Sequence, residues 1–168
     1  MKTIKGFVAF AGLTLVLAAA ASAQVSLASL DGPRIDVESQ RGKVVVLAIG
    51  ASWLPLSAKQ ADFTNTLARK YAGRDVVFYF VSTDSATARS KNFASNEDIR
   101  RFASTNRLSI PILRDPDGAS TLKRFSVDQV PSFVILDKSG SQAGEPYGGI
   151  DPKFDITVPL SRAIDKLL

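Results

Sequence analysis

The stretch Gly42–Ser57, GKVVVLAIGASWLPLS, decides how the chain is read. Val44 to Ile49 is an unbroken apolar run rich in β-branched residues. Such a run without alternation marks a strand covered on both faces. Pro55 is well placed for the first turn of a helix. Leu56, Phe63, Leu67 and Tyr71 then recur on one helical face, and Gly73 supplies the stop. Val76 to Val81 is a second apolar run. Strand, helix and strand of these lengths predict a βαβ unit with parallel strands. The junction between the first strand and the helix is unusual. Chemistry in α/β proteins collects at the carboxyl ends of strands, yet this junction carries Trp53, Leu54, Pro55 and Leu56.

Working outward, Gln24 to Arg41 reads as a lead-in with a turn at Leu30-Asp31-Gly32-Pro33 and a short edge strand over Arg34 to Val37. Ser82 to Ala94 is polar and reads as a loop. Ser95 with Asp98 has capping-box spacing and opens a helix over Ile99, Phe102 and Ala103. Ile110 to Leu113 is a short strand, and Pro111 places it at a sheet edge or at a strand start. Asp115-Pro116-Asp117-Gly118 is a turn before a short helix over Ala119 to Phe125. Val130 to Leu136 is a strand with Pro131 at its mouth. A hairpin turn at Asp137 to Gly140 leads to a returning segment, Ser141 to Tyr147. A last helix is expected from Pro159, capped by Thr157 or Val158, with Leu160, Ala163, Ile164, Leu167 and Leu168 inward. The fold class is α/β, a central mixed β-sheet flanked by helices.

The first residues stand apart from this pattern. Lys2 and Lys5 precede an apolar stretch from Phe7 to Ala20, and Ala21-Ser22-Ala23 has the small-x-small form of a cleavage site. This predicts a secretory signal peptide over residues 1–23 and one domain over 24–168. The apolar stretch is shorter than the ~20 residues a spanning helix needs. The expectation is an exported protein, periplasmic or secreted, with no membrane anchor after cleavage. Loss of Lys2 and Lys5 removes two charges from a formal net charge of +5. The remaining bias is mild. Arg69-Lys70, Arg100-Arg101 and Lys123-Arg124 are scattered pairs on helices, which fit solvated faces and not a nucleic-acid groove.

Cysteine and histidine are both absent. There is no thiol nucleophile, no Cys/His zinc site and no Ser–His pair. Carboxylate chemistry stays open in principle, but Asp115 and Asp117 have only the context of a turn. No catalytic residue, metal or cofactor is assigned.

The ordered set "LDG" at Leu30–Gly32, "GKVVVLAIGASW" at Gly42–Trp53, "FVSTD" at Phe80–Asp84, "DPDG" at Asp115–Gly118, "LKRFSVDQVPSFVILDKSG" at Leu122–Gly140 and a late Gly149 resembles the thioredoxin superfamily. It is most similar to exported TlpA-like thiol–disulfide oxidoreductases. The segment from Ala86 to Ser95 is longer than that resemblance implies. The family carries Trp-Cys-x-x-Cys at the strand–helix junction, so the resemblance puts Leu54 and Ser57 where the two thiols would be. Leu54 cannot ionise. Ser57, with no base nearby in sequence, stays protonated and reads as a first-turn helix residue. The family often has a buried acid or amide at the position of Ala48, and often an aromatic at Gly50. The resemblance therefore implies a degenerate site made of Trp53, Leu54, Pro55, Leu56 and Ser57, whose polar support has gone with its thiols. Pro131 keeps the family pattern, in which a cis proline faces the motif and neighbouring backbone pairs with an extended peptide.

Two readings of Trp53 to Leu56 stay open: burial over the helix start, or an exposed patch beside Val130 and Pro131. Two functions follow. One is a non-catalytic module that binds an extended peptide or protein partner at Trp53, Val130 and Pro131. The other is a scaffold member of the oxidoreductase family, acting in envelope redox or cytochrome-assembly pathways through another surface, with the loop Ser82–Ala94 as its candidate face.

Overall fold

The structure is a computed structural model that describes residues 24–168. The expected signal peptide lies outside the described residues. Six strands, β1 (Ser26–Ser29), β2 (Ile35–Asp36), β3 (Val44–Gly50), β4 (Val76–Ser82), β5 (Ile112–Arg114) and β6 (Ser132–Leu136), form one mixed sheet in the order β2-β1-β5-β4-β3-β6. The apolar run at the heart of the sequence becomes β3 (Val44–Gly50), buried at every position. It pairs in parallel with β4 (Val76–Ser82) and antiparallel with β6 (Ser132–Leu136). Helix α1 (Pro55–Lys70) connects β3 to β4, as the βαβ pattern requires.

The alternation of β3 side chains builds two apolar layers. Val44, Val46 and Ala48 face α1 (through Phe63, Leu67 and Tyr71), α2 (Asn96–Thr105) and α4 (Thr157–Leu167). Val45, Leu47 and Ile49 face Leu27, Val37, Phe125 and Val127. Full burial of both faces explains why β3 lacks a polar alternation.

Several elements differ from expectation. Ser26–Ser29 in the lead-in is a strand, β1, which pairs antiparallel with β5 and with the edge strand β2 (Ile35–Asp36). Only Leu27 of β1 is buried, so its sequence carries little apolar signal. Strand β5 is Ile112–Arg114 and lies inside the sheet, between β1 and β4. Pro111 precedes it and needs no N–H there, while its carbonyl accepts from the Phe80 N–H at 3.1 Å. The return from Ser141 to Tyr147 makes only isolated bridges, Leu136 to Gln142 and Phe133 to Tyr147. Gly144, at φ 81°, and Pro146 interrupt its ladder.

Helix α3 covers only Thr121–Arg124, and α4 starts at Thr157, two residues before Pro159. Neither Thr157 nor Val158 is its cap. The Asp155 carboxylate accepts from the Thr157 N–H at 3.0 Å, and Pro159 sits in the first turn, where its missing N–H has no intrahelical partner to lose. Arg124 is not a merely solvated charge. It donates to the buried Glu38 carboxylate from Nε at 2.9 Å and Nη2 at 2.5 Å. The other Glu38 oxygen accepts the Val25 N–H at 2.8 Å, which ties the residue before β1 and the turn after β2 to α3.

The Ser95–Asp98 capping box forms as read. The Asp98 N–H donates to Ser95 Oγ at 3.1 Å, and Asp98 Oδ2 accepts the Ser95 N–H at 3.0 Å. The Ser95 hydroxyl, then its N–H, holds the Asp98 carboxyl below the ordinary carboxylate range. Its folded pKa is therefore below the unfolded value of about 3.9. The contribution to α2 is complete above that value and is lost as pH falls through the depressed folded pKa. Protection of the first-turn amides of α2 against exchange, taken relative to the intrinsic rate, should fall as pH drops below about 4. Asp98→Asn should remove that pH dependence, and an unchanged pH profile would show that the box does not hold the helix.

Candidate functional site

Helix α1 begins at the carboxyl end of β3, directly after Ala51-Ser52-Trp53-Leu54. Leu54 is its N-cap and offers no side-chain acceptor, so the helix opens on Pro55 without a side-chain cap. Trp53 is 50 % exposed. Pro55 is exposed, Leu54 and Leu56 are half-buried, and Ser57 is buried. The apolar residues of the junction thus divide, with Trp53 and Pro55 outward. Ser57 turns back, and its Oγ accepts the Ala51 N–H at 3.3 Å. That contact gives Ser57 a structural partner in the first turn and no neighbouring base.

Strand β6 brings the second half of the site to the same end of the sheet. Its first residue, Ser132, sits opposite Ile49 in the register, so the turn at Val130 and Pro131 lies at the same end of the sheet as the start of α1. The Val130–Pro131 peptide bond is cis. Pro131 is buried, while Val130 is half-buried and packs on the Leu47 side of the sheet. The clefts of about 410 Å³ (Lys59, Asp62, Phe63 and Pro152–Asp155) and about 430 Å³ (Tyr71–Gly73, Val76–Tyr79 and Ser109–Pro111) are lined by neither Trp53 nor Pro131.

The expectation that polar support had vanished with the thiols is corrected here. Ala48 is indeed buried and apolar, but the polar group comes from α1 instead. Gln60 is wholly buried, and its Nε2 donates to the Ile49 carbonyl at 3.2 Å and the Ser132 carbonyl at 2.7 Å. One side chain thereby ties the helix to the end of β3 and to the residue after Pro131. Gln60 Oε1 and Ser132 Oγ have no partner among the described residues. Gly50 makes room for this joint. A Cβ there would overlap Gln60 Oε1 and come within 2.9 Å of Ser57 Oγ.

A second polar joint lies on the β4 side. Asp84, at the root of the expected loop, is wholly buried. Its carboxylate accepts the Ser52 N–H at 2.9 and 3.1 Å, the Ser52 hydroxyl at 2.7 Å and the Ser82 hydroxyl at 2.7 Å. Neither Gln60 nor Asp84 stands out as a site residue in the sequence. The available signal for Asp84 was a Ser-Thr-Asp run directly after a buried strand. Asp115 is also buried, but its carboxylate is spent on the Ser120 and Thr121 N–H groups and the Thr121 hydroxyl. Asp117 stays at the surface, so the two do not form an acid–base pair. Among the described residues no group of His, Cys, Asp or Glu is placed to hold a metal ion, and no helix is long and apolar enough to cross a membrane.

The joint around Gly50 yields a prediction. Gly50→Ala should destabilise the fold by about 1–3 kcal/mol in urea unfolding, as overpacking does. In a Gly50→Ala, Gln60→Ala double variant the two costs should be non-additive, because the second change removes the group that the new Cβ meets. Strict additivity would show that the close approach is not what requires glycine.

Residues 10–143 match the family model described as Redoxin. The thiol-disulfide oxidoreductase ResA of Bacillus cereus (strain ATCC 10987 / NRS 248) is 25 % identical over 119 residues, 71 % of this chain and 63 % of ResA. The thioredoxin-like protein YneN of Bacillus subtilis (strain 168) is 29 % identical over 115 residues, 68 % of this chain and 62 % of YneN. The chain thus spans just under two thirds of the length of these relatives. The pneumococcal exposed lipoprotein thioredoxin Etrx1 from Streptococcus pneumoniae strain TIGR4 superposes with a TM-score of 0.67 at 24 % identity, covering 86 % of this chain and 100 % of that one, a likeness of fold. The β3–α1–β4 core, the antiparallel β6 behind Pro131 and the Redoxin match together make this chain a member of the Redoxin family, a TlpA-like branch of the thioredoxin superfamily, here without a cysteine.

Proposed function

We propose that the chain is an exported, non-catalytic module that grips an extended peptide or protein segment between Trp53 and the Val130–Pro131 turn. The observation that carries this reading is the half-exposed Trp53 at the α1 start, at the same end of the sheet as Pro131. A large indole left in water at a strand–helix junction is an anchor of the kind that dominates interfaces. Support also comes from the backbone beside it. The β6 ladder begins at Ser132, and no backbone hydrogen bond among the described residues involves Val130. Its N–H and carbonyl suit pairing with an added strand.

The chemistry of the named relatives does not transfer. Thiol–disulfide exchange needs a thiolate to attack and a second thiol to resolve the mixed disulfide. This chain has neither. Export is supported by the pattern over residues 1–23 and by the exposed location named for Etrx1.

A second reading places the binding face on the loop after β4. Arg114 donates to the Ser85 carbonyl at 3.1 Å and the Ala94 carbonyl at 2.6 Å, closing the loop at its base, and Phe93 is left 42 % exposed. A rigid base beneath an exposed aromatic favours this scaffold reading, in which the groove is idle.

Peptide-array binding separates the two. Trp53→Ala and Leu54→Asp should each weaken capture about 10-fold or more, the loss expected for a central aromatic anchor. Shortening residues 86–92 should leave capture unchanged. Equal binding by both groove variants, with loss on loop shortening, would move the function to the loop. An insulin-reduction assay on the same protein should show no turnover.

A further inference from the structure

We infer that Asp84 is the positioning residue for Trp53: its buried carboxylate fixes the turn that presents the indole. The inference rests on Trp53 being the grip, as proposed above, but its spectroscopic test does not need the partner.

The base of this device is rigid. Ser82 closes β4, and its carbonyl accepts the Asp115 N–H at 2.9 Å. The Thr83 N–H and hydroxyl both donate to the Gly50 carbonyl, at 2.8 and 3.1 Å, and the Thr83 carbonyl accepts the Asp117 N–H at 3.2 Å. Asp84 is therefore held by the ends of β3 and β5 as well as by its own strand. From that base its carboxylate reaches across to Ser52, the residue immediately before Trp53.

The turn it holds has few other supports. Ala51 is tied by its N–H to Ser57 Oγ at 3.3 Å and by its carbonyl to the Leu54 N–H at 3.1 Å. The Ser52 N–H and hydroxyl have only Asp84 as partner among the hydrogen bonds of the described residues. No salt bridge among the described residues involves Asp84. Among the described residues its carboxylate takes hydrogen bonds from these donors and the Ser82 hydroxyl. Charge-assisted bonds of 2.7–2.9 Å are among the stronger ones available to a protein. An apolar residue in its place would leave the Ser52 N–H, the Ser52 hydroxyl and the Ser82 hydroxyl without that acceptor. Two of these three donors belong to Ser52, directly before the exposed Trp53, so the carboxylate fixes the path of the chain into the indole. An ordered turn presents Trp53 with its backbone entropy already lost, which favours binding.

The chain has a single Trp, so its fluorescence reports on this turn alone. The full chain and its Asp84→Ala, Asp84→Asn and Ser52→Ala variants would be compared by steady-state anisotropy and acrylamide quenching, with far-UV circular dichroism as the check of fold. Asp84→Ala should lower the anisotropy of Trp53 and raise its quenching constant while the circular dichroism is unchanged. Asp84→Asn should stay near wild type, because the amide oxygen still accepts from Ser52 and its NH₂ can donate to Ser82 Oγ. A folded Asp84→Ala protein with wild-type anisotropy and quenching would overturn the assignment. Should Asp84→Ala fail to fold, the near-isosteric Asp84→Leu variant, which removes every acceptor facing Ser52, takes its place: lowered anisotropy supports the assignment and an unchanged value overturns it. On peptides captured by the wild type, Asp84→Ala should dissociate faster and Asp84→Asn should not. If the wild type captures none, the grip is refuted, and the anisotropy result still decides the role of Asp84.

Discussion

The buried carboxamide of Gln60 is the contact on which the site depends. A wholly buried amide must place its donors on acceptors, and here they reach the carbonyls of Ile49 and Ser132. Losing them would leave two strand-end carbonyls without that partner, at about 1–3 kcal/mol for each group left buried and unpaired. The constraint therefore fixes three things together: where β3 stops, how α1 leaves it, and where the chain turns at Pro131. Gly50 is glycine because the amide lies against it. Ser57 is buried because the first turn of α1 is drawn onto the same point.

With that joint in place, the junction keeps its backbone arrangement without its chemistry. A helix N-terminus carries partial positive charge and favours an anion there. In this chain the cap position holds Leu54, and no acidic residue lies in the first turn. The buried negative charge is at Asp84, behind the turn, where it takes hydrogen bonds from the backbone and hydroxyl of Ser52. The result is an apolar outer surface at Trp53 and Pro55 over a polar, hydrogen-bonded foundation. Such a division suits binding by contact. It does not suit thiol chemistry, since the chain has no cysteine.

Much of the fold was legible because its signals are strong and local. The uninterrupted apolar run of β3, the 3.6-residue spacing of α1 and the Ser95–Asp98 box each name one element without help from the rest of the chain. What escaped was non-local. Strand β1 has a single buried residue, and its place in the sheet comes from pairing with β5, far along the chain. Pro159 suggests a helix start at its own position, but α4 begins two residues earlier, after Ile156, and takes Pro159 into its first turn. Within the site, Trp53, Ser57 and Pro131 were visible by their order. Ala48 carries no polar group, but Gln60 supplies one from α1 and Asp84 supplies one from the segment just after β4. Neither replacement can be recognised until the strand ends are brought together in space.

The placing of Leu54 and Ser57 at the family's two thiol positions, on a backbone held by joints that do not need sulfur, is our proposal. Its most direct test is the Leu54→Cys, Ser57→Cys double variant, with free thiols counted after mild oxidation. Disulfide formation demands Cα atoms within about 7 Å and converging Cβ directions, so pairing reports backbone geometry and not activity. A folded monomeric product with an intramolecular disulfide and no free thiol is expected. A folded protein that keeps both thiols free, or pairs them only between molecules, would contradict it.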